Sequence, residues 1–378
     1  MHAYKPLLLI AALLLVAVIC AAPATVLAAG AGAGGTAMFR CDAPRTGDCS
    51  PVAGSSTSNS QLKWSYRTKG DVLSSPTVAN GIVYIGSNDH NVYALNATNG
   101  TKVWNYTTGD LVWSNPVVAN GIVYVGSNDN NVYALDAKTG GLVWSYATGD
   151  VVASSPAIVN GIVYIGSYDS DVYALNATNG TKVWNYTTKG AVMSSPAIAN
   201  GIIYIGSNDH NVYALDARTG TKMWNYTTRS YVWANPVVAN GIIYIGSNDH
   251  NVYALDARTG TKMWNYATGS LVWSKPAVAN EIVYVGSTDN NVYALNATTG
   301  GMAWSYTTGD AVSSSPTVAN GIIYIGSNDH NVYALDANTG TKVWSYTTGD
   351  AVSSSPTVAN GIIYIGSNDH NVYALGTP

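Results

Sequence analysis

Glutamate is almost missing from this chain. Among 378 residues there is one, Glu281, and there is likewise a single phenylalanine, Phe39. Charged residues make up 10% of the chain, well below the ~25% of ordinary soluble domains. Cysteine occurs three times, as Cys20, Cys41 and Cys49, so everything after residue 49 is free of it. Each shortage excludes something. With one glutamate and with aspartates confined to recurring turns, no distinct pair of carboxylates is available for glycosidase-type acid/base work. There is no G-x-S-x-G elbow and no unique Ser/His/Asp set for nucleophilic catalysis. No C-x-x-C spacing supports a redox pair. The net charge is −4 and the basic residues do not cluster, so the electrostatic footprint of a nucleic-acid binder is absent. No stretch after residue 30 carries an amphipathic helical period.

What the chain has in abundance is tyrosine (27), tryptophan (11) and β-branched residues, a composition suited to strands. The eleven-residue stretch from Ala94 to Trp104, Ala-Leu-Asn-Ala-Thr-Asn-Gly-Thr-Lys-Val-Trp, returns nearly unchanged every 40 residues. It places Trp64, Trp104, Trp144, Trp184, Trp224, Trp264, Trp304 and Trp344 in strict register without an insertion. A fixed period of this length is the signature of a repeat architecture. It overrides the two or three domains that length alone would suggest.

Within one period the punctuation is regular. Ser74–Ala79 reads as a short strand A, Asn80-Gly81 as a two-residue type I′ turn, and Ile82–Ser87 as strand B. Asn88–Asn91 turns the chain, Val92–Leu95 is strand C, the turn at 97–100 follows, and Thr101–Thr107 is strand D. Four antiparallel strands per 40 residues make a propeller blade. The sequence therefore predicts an all-β fold, a single eight-bladed β-propeller of four-stranded antiparallel blades over residues 61–378. The chain opens on a lone D strand, Gln61–Arg67, and closes on an A-B-C set, Ser354–Leu375. The first strand is expected to complete the last blade and so remove an open edge.

The pattern A-x-[D/N]-x-x-[T/N]-G-x-x-x-W resembles the tryptophan-docking motif of the pyrroloquinoline-quinone (PQQ) repeat propellers, a family that includes quinoprotein dehydrogenases and BamB-type scaffold lipoproteins. The resemblance covers residues 61–378. It implies that each motif indole docks on the neighbouring blade, a structural role. Gly100 would supply the positive φ of the C–D turn, and Asn96 and its equivalents would accept that turn's backbone donors. For the dehydrogenases the resemblance also implies a vicinal cysteine pair, a calcium-binding Glu/Asn set and a catalytic aspartate. None of these can be matched here residue by residue.

Ahead of the repeats, Lys5, the apolar run Leu7–Ala22 and Val26-Leu27-Ala28 read as a secretory signal peptide over residues 1–28. The run is shorter than the ~20 residues of a spanning helix, and an uncleaved anchor is the alternative. Cys20 lacks the small preceding residue expected of a lipidated cysteine. Residues 29–60 read as a flexible Gly/Ser-rich linker in which Cys41 and Cys49 are expected to form a local disulfide.

The eight units can be compared with one another. One column differs sharply: Leu73, Trp113, Ala153, Met193, Trp233, Trp273, Ser313 and Ser353. Two residues on, Ser is replaced by Asn115, Asn235 and Lys275. Both columns lie where the D-to-A loop enters the innermost strand, so they are expected to ring the mouth of the central channel. Two readings are open there. Leu73, Trp113, Met193, Trp233 and Trp273 form a ligand- or partner-binding rim, since tryptophan is enriched at hot spots, or the column has drifted at a tolerant position. Asp-His recurs at five B–C turns, but turns on adjacent blades are too far apart for two imidazoles to share a metal, so these read as solvated turn residues. Eight N-x-T triplets mark possible glycosylation at Asn96, Asn99, Asn105, Asn176, Asn179, Asn185, Asn225 and Asn296; turn and strand preferences alone would also generate them.

These readings converge on a non-catalytic, secreted or cell-surface scaffold, a monomer without cofactor or metal, that binds protein or glycan and no nucleic acid. Membrane association would come only through an uncleaved N-terminal segment. The alternative, of a different class, is a PQQ-dependent oxidoreductase using quinone and calcium.

Overall fold

The computed structural model describes residues 61–376. The expected signal peptide, the linker and the Cys41–Cys49 disulfide lie outside the described residues. Numbered in chain order, β1 is Gln61–Arg67, β2 Thr77–Ala79, β3 Ile82–Gly86, β4 Asn91–Asn96 and β5 Lys102–Thr107. The same four-strand unit recurs to β30 (Thr357–Ala359), β31 (Ile362–Gly366) and β32 (Asn371–Gly376). The strands form eight separate four-stranded sheets, each antiparallel in sequence order except the last, which runs β1-β32-β31-β30. The chain is thus an all-β, eight-bladed propeller. Blade 1 is β2–β5, and blade 8 combines β30–β32 with β1.

The local chemistry explains the regularity. The A–B hairpin needs positive φ at both turn residues, and Asn80 and Gly81 supply +49° and +76°. Strand A is shorter than its sequence suggests, starting at Thr77 instead of Ser74. Pro76 has no N–H to offer a ladder, and Ser74 and Ser75 turn their polar groups to neighbouring blades instead. Ser74 Oγ donates to Ser114 O at 3.1 Å and accepts from Gly86 N at 3.2 Å.

Blades join through a repeated seam. Trp104, on β5, donates its indole N–H to Ala137 O of blade 2 at 3.0 Å, and Tyr84 OH donates to the same carbonyl at 3.0 Å. Seven indoles, Trp64 through Trp304, make this bond to a carbonyl 33 residues on. Trp344 is buried, and the position equivalent to its acceptor, 377, lies outside the described residues. The glycine of the C–D turn is required twice over. Gly140 has φ +75°, and a Cβ there would come within 2.7 Å of Trp104 Cδ2. Seam and blade cores are continuous: Tyr84, Val92, Trp104, Val112, Val123, Val125 and Tyr133, drawn from blades 1 and 2 and the loop between them, form one buried cluster.

Ring closure reproduces this seam. Trp64 and Tyr364 both donate to Ala97 O, at 2.9 and 3.1 Å. Strand β1 pairs with β32 from Gln61↔Gly376 to Arg67↔Asn371.

Candidate functional site

The loops divide the propeller into two faces. One carries the A–B and C–D turns, the other the B–C turns and the D–A loops. On the second face each blade has a latch built on an aspartate. Asp89 Oδ2 accepts from Lys69 N at 2.8 Å, tying down the loop that arrives from the previous blade, and from Tyr93 OH at 2.6 Å. Its Oδ1 accepts from Asn91 N at 3.1 Å. The latch occurs in all eight blades, ending with Gly349 N and Tyr373 OH on Asp369. Burial opposes the charge on Asp89, but the bonds from Tyr93, Lys69 and Asn91 outweigh it and hold its carboxyl below the usual range. These aspartates therefore do more than form turns: they bridge blades.

The neighbouring histidines occupy a backbone position with φ near +70°, taken by Asn130, Ser170 and Asn290 in other blades. His90, His330 and His370 are half exposed, and each faces an aspartate of the following D–A loop, at 3.9, 3.9 and 3.1 Å. Among the described residues no three His, Cys, Asp or Glu side chains gather as metal ligands.

Around the axis the second variable column forms a hydrogen-bonded ring. Ser75 N donates to Asn115 Oδ1, Asn115 N to Ser155 Oγ at 2.9 Å, and Ser155 N to Ser195 Oγ at 2.9 Å. Ser195 N donates to Asn235 Oδ1, and the ring resumes from Lys275 N to Ser315 Oγ, Ser315 N to Ser355 Oγ and Ser355 N to Ser75 Oγ. The step from Asn235 to Lys275 breaks the pattern, because a lysine side chain has no acceptor. Lys275 is 3% exposed.

The first variable column sits on the same face, outside that ring. Leu73 and Met193 are half-buried. Trp113, half-buried, reaches back to the B–C turn of the blade it has left and donates to Asn88 Oδ1 at 3.0 Å. Trp233 does the same to Asn208 Oδ1 at 2.7 Å. Trp273, the most exposed of the three at 38%, instead leans on Trp233, with ring centroids 5.5 Å apart. Trp233 stacks on Tyr231, 6.0 Å away with planes 11° apart, and Tyr231 contacts His210 at 5.4 Å. The rim thus gathers Trp233 and Trp273 into one cluster, while Trp113 enters blade 2, three blades from Trp233. Tyr231 escaped the sequence reading. Comparing its own column would have found it, since Asp71, Leu111, Val151, Ala191, Leu271, Ala311 and Ala351 stand in its place elsewhere.

The N-x-T asparagines lie on the opposite face or the outer strands. Asn99, Asn105, Asn179, Asn185 and Asn225 are exposed, while Asn96, Asn176 and Asn296 are half-buried. Asn96 Oδ1 accepts Thr98 N at 2.9 Å. On that face a cavity of 580 Å³ lies between blades 3 and 4, over Trp184 and beside Arg218.

An eight-bladed ring locked by indoles on glycine turns is the architecture of the PQQ-type repeat propellers. The sequence places it within them: the chain belongs to the family described as outer membrane protein assembly factor BamB, whose model matches residues 50–112, 107–230, 189–271 and 266–377. Among solved structures it is similar to BamB from Moraxella catarrhalis, with a TM-score of 0.74 at 21% identity over 84% of this chain and 99% of that one. It is also similar to the quinohemoprotein alcohol dehydrogenase ADHIIG from Pseudomonas putida HK5, with a TM-score of 0.78 at 17% identity over 91% and 80%. The computationally designed protein Ika8 superposes with a TM-score of 0.74 at 18% identity, over 82% and 96%. At these identities the likeness is one of fold. No curated protein matches the chain by sequence.

A quinone–calcium centre of the dehydrogenase kind does not fit the residues present. Cysteine is absent from the described residues, and the one glutamate, Glu281, sits in an A–B hairpin on the face opposite the rim. The axial ring offers only serine, asparagine and lysine.

Proposed function

We propose that this chain is an extracytoplasmic interaction scaffold that binds its partner, a protein or a glycan, through the face carrying the D–A loops. One observation carries the reading: an exposed cluster of Tyr231, Trp233 and Trp273 stands on that face of an otherwise repetitive ring. Large aromatic side chains bury much area at little entropic cost and dominate binding surfaces. Near-identical blades supply a rigid frame, and the column that varies is the one placed at the rim. The N-terminal segment would direct export, and glycosylation of the exposed asparagines would leave the rim face clear.

The test compares the full chain with a Trp113→Ser, Trp233→Ser, Trp273→Ser variant for capture of labelled cell-envelope proteins and of arrayed glycans. Loss of capture with an unchanged melting curve supports the rim; full retention refutes it. The oxidoreductase reading rests on the shared fold with ADHIIG. Melting with PQQ and calcium separates the two, because a ligand at a hundredfold excess over its Kd adds about 2.7 kcal/mol of stability. The scaffold reading expects no shift.

A further inference from the structure

The rim contains one broken hydrogen-bond pair, and it lies in the aromatic cluster. In blades whose B–C turn carries asparagine, that side chain faces the residue 25 positions on. Asn88 and Asn208 accept from Trp113 and Trp233, and Asn328 accepts from Ser353 Oγ at 3.3 Å. Three asparagine oxygens, those of Asn128, Asn248 and Asn368, are buried without a hydrogen-bond partner. For two the reason is plain: Asn128 faces Ala153 and Asn368 faces Leu73, neither of which has a donor. Asn248 faces Trp273, which has one, yet the indole has moved off to Trp233. Asn248 is itself 9% exposed. A buried acceptor left unmade costs about 1–3 kcal/mol, so this corner is held ready for a donor from elsewhere.

The charge pattern of the face points the same way. The D–A loops elsewhere carry Asp71, Asp110, Asp150, Asp310 and Asp350; in the loops entering blades 5 and 6 the last four are matched by Ser230 and Ser270. The loops entering blades 4 and 5 instead carry exposed Lys189 and Arg229, and Lys275 follows Trp273 by two residues. One sector is therefore aromatic and basic, and the remaining rim is acidic.

We infer that the Tyr231–Trp233–Trp273 sector is a saccharide site for sugar rings that bear a carboxylate. This inference rests on the rim reading above and narrows it. A uronic-acid ring presents, within its own width, a C–H face for the indoles, hydroxyls that donate to Asn248 Oδ1, and a negative charge for Arg229. An acidic peptide spreads those features over several residues, and a neutral sugar lacks the charge that this sector alone favours.

The experiment is titration of the full chain with tetragalacturonate, followed by tryptophan fluorescence and calorimetry. Maltotetraose, a tetraglutamate peptide and PQQ serve as comparators. Binding of the uronate at least tenfold tighter than of any comparator is expected, weakening as salt rises. Trp273→Ala should reduce affinity more than tenfold. Arg229→Ser, at an exposed site that leaves folding alone, should reduce it severalfold and flatten the salt dependence. Asn248→Ala should weaken binding without lowering the melting temperature. Trp113→Ser, in a separate sector, should change nothing. Tighter binding of the peptide, of maltotetraose or of PQQ overturns the inference, as does uronate binding indifferent to Trp273→Ala and Arg229→Ser. If the uronate does not bind while the triple tryptophan variant still loses its envelope partner, only the saccharide inference falls. If the triple variant retains every partner, both readings fall.

Discussion

The same residue type does two different jobs in this propeller. At the seam, tryptophan occurs in all eight repeats, always on strand D, with its ring on a glycine turn and its N–H on the next blade's carbonyl. At the rim it occurs in three repeats of eight, and those three do not even share one conformation, since Trp113 and Trp233 reach back to an asparagine while Trp273 does not. The seam repeats because every blade must solve the same packing problem with the same 40 residues. The rim varies because nothing in the ring depends on it. Uniformity marks what holds the fold, and departure from it marks the surface that is free to bind.

That contrast can be broken from the seam side first. Removing residues 1–67 deletes β1 and Trp64, leaves blade 8 with three strands and exposes β32 as an open edge. A drop of many degrees in melting temperature, or failure to fold, is expected; an unchanged melting curve would contradict this closure. Next, Trp104→Ala should cost about 3–5 kcal/mol by chemical denaturation, whereas Trp113→Ala at the rim should cost under about 1 kcal/mol. Equal losses would erase the distinction between the two kinds of tryptophan. Alkaline titration probes the seam without mutation. Burial, with a smaller contribution from Asp136, pushes the Tyr84 hydroxyl up to about 12. A raised native value stabilises fully below the unfolded value near 10 and is lost as pH climbs through 12. Since Tyr204, Tyr244 and Tyr284 share that shift, melting temperature should hold to about pH 10 and fall steeply above it. The smallest effect concerns the one hairpin that departs from Asn-Gly. Glu281 sits at φ +62° where other blades have glycine, so Glu281→Gly should stabilise by roughly 1 kcal/mol, read as a small rise in denaturation midpoint.

Blade number, strand order and closure were legible in the sequence because each depends on spacing along the chain, and the period is exact enough to count. Strand A was over-read by three residues because Pro76 acts on pairing and not on hydrophobic pattern. The Asp89 latch looked like simple turn chemistry, since its partners Lys69 and Tyr93 lie on either side of it and only one is local. The variable column identified Trp113, Trp233 and Trp273, and repeat comparison alone could rank them no further. What separates Trp273 from the others is a rotation that leaves Asn248 without a donor, a matter of packing between loops that no spacing encodes. Lys275 was visible as an odd residue, but its burial, and the break it makes in the axial ring, follow only from closing the circle.

The pairing of β1 with β32 sets the direction in which the molecule resists force. Gln61 lies opposite Gly376, so the two ends of the described chain leave from the same end of an antiparallel pair. Tension applied between them would load that ladder one hydrogen bond at a time, as in opening a zip, and the ring would unclasp at low force. Tension between one end and a partner held on the rim bypasses the clasp and is spread through Asp latches and indole seams around the whole circle. A propeller tethered by its N-terminal side and gripping with its rim would be pulled along its strong axis.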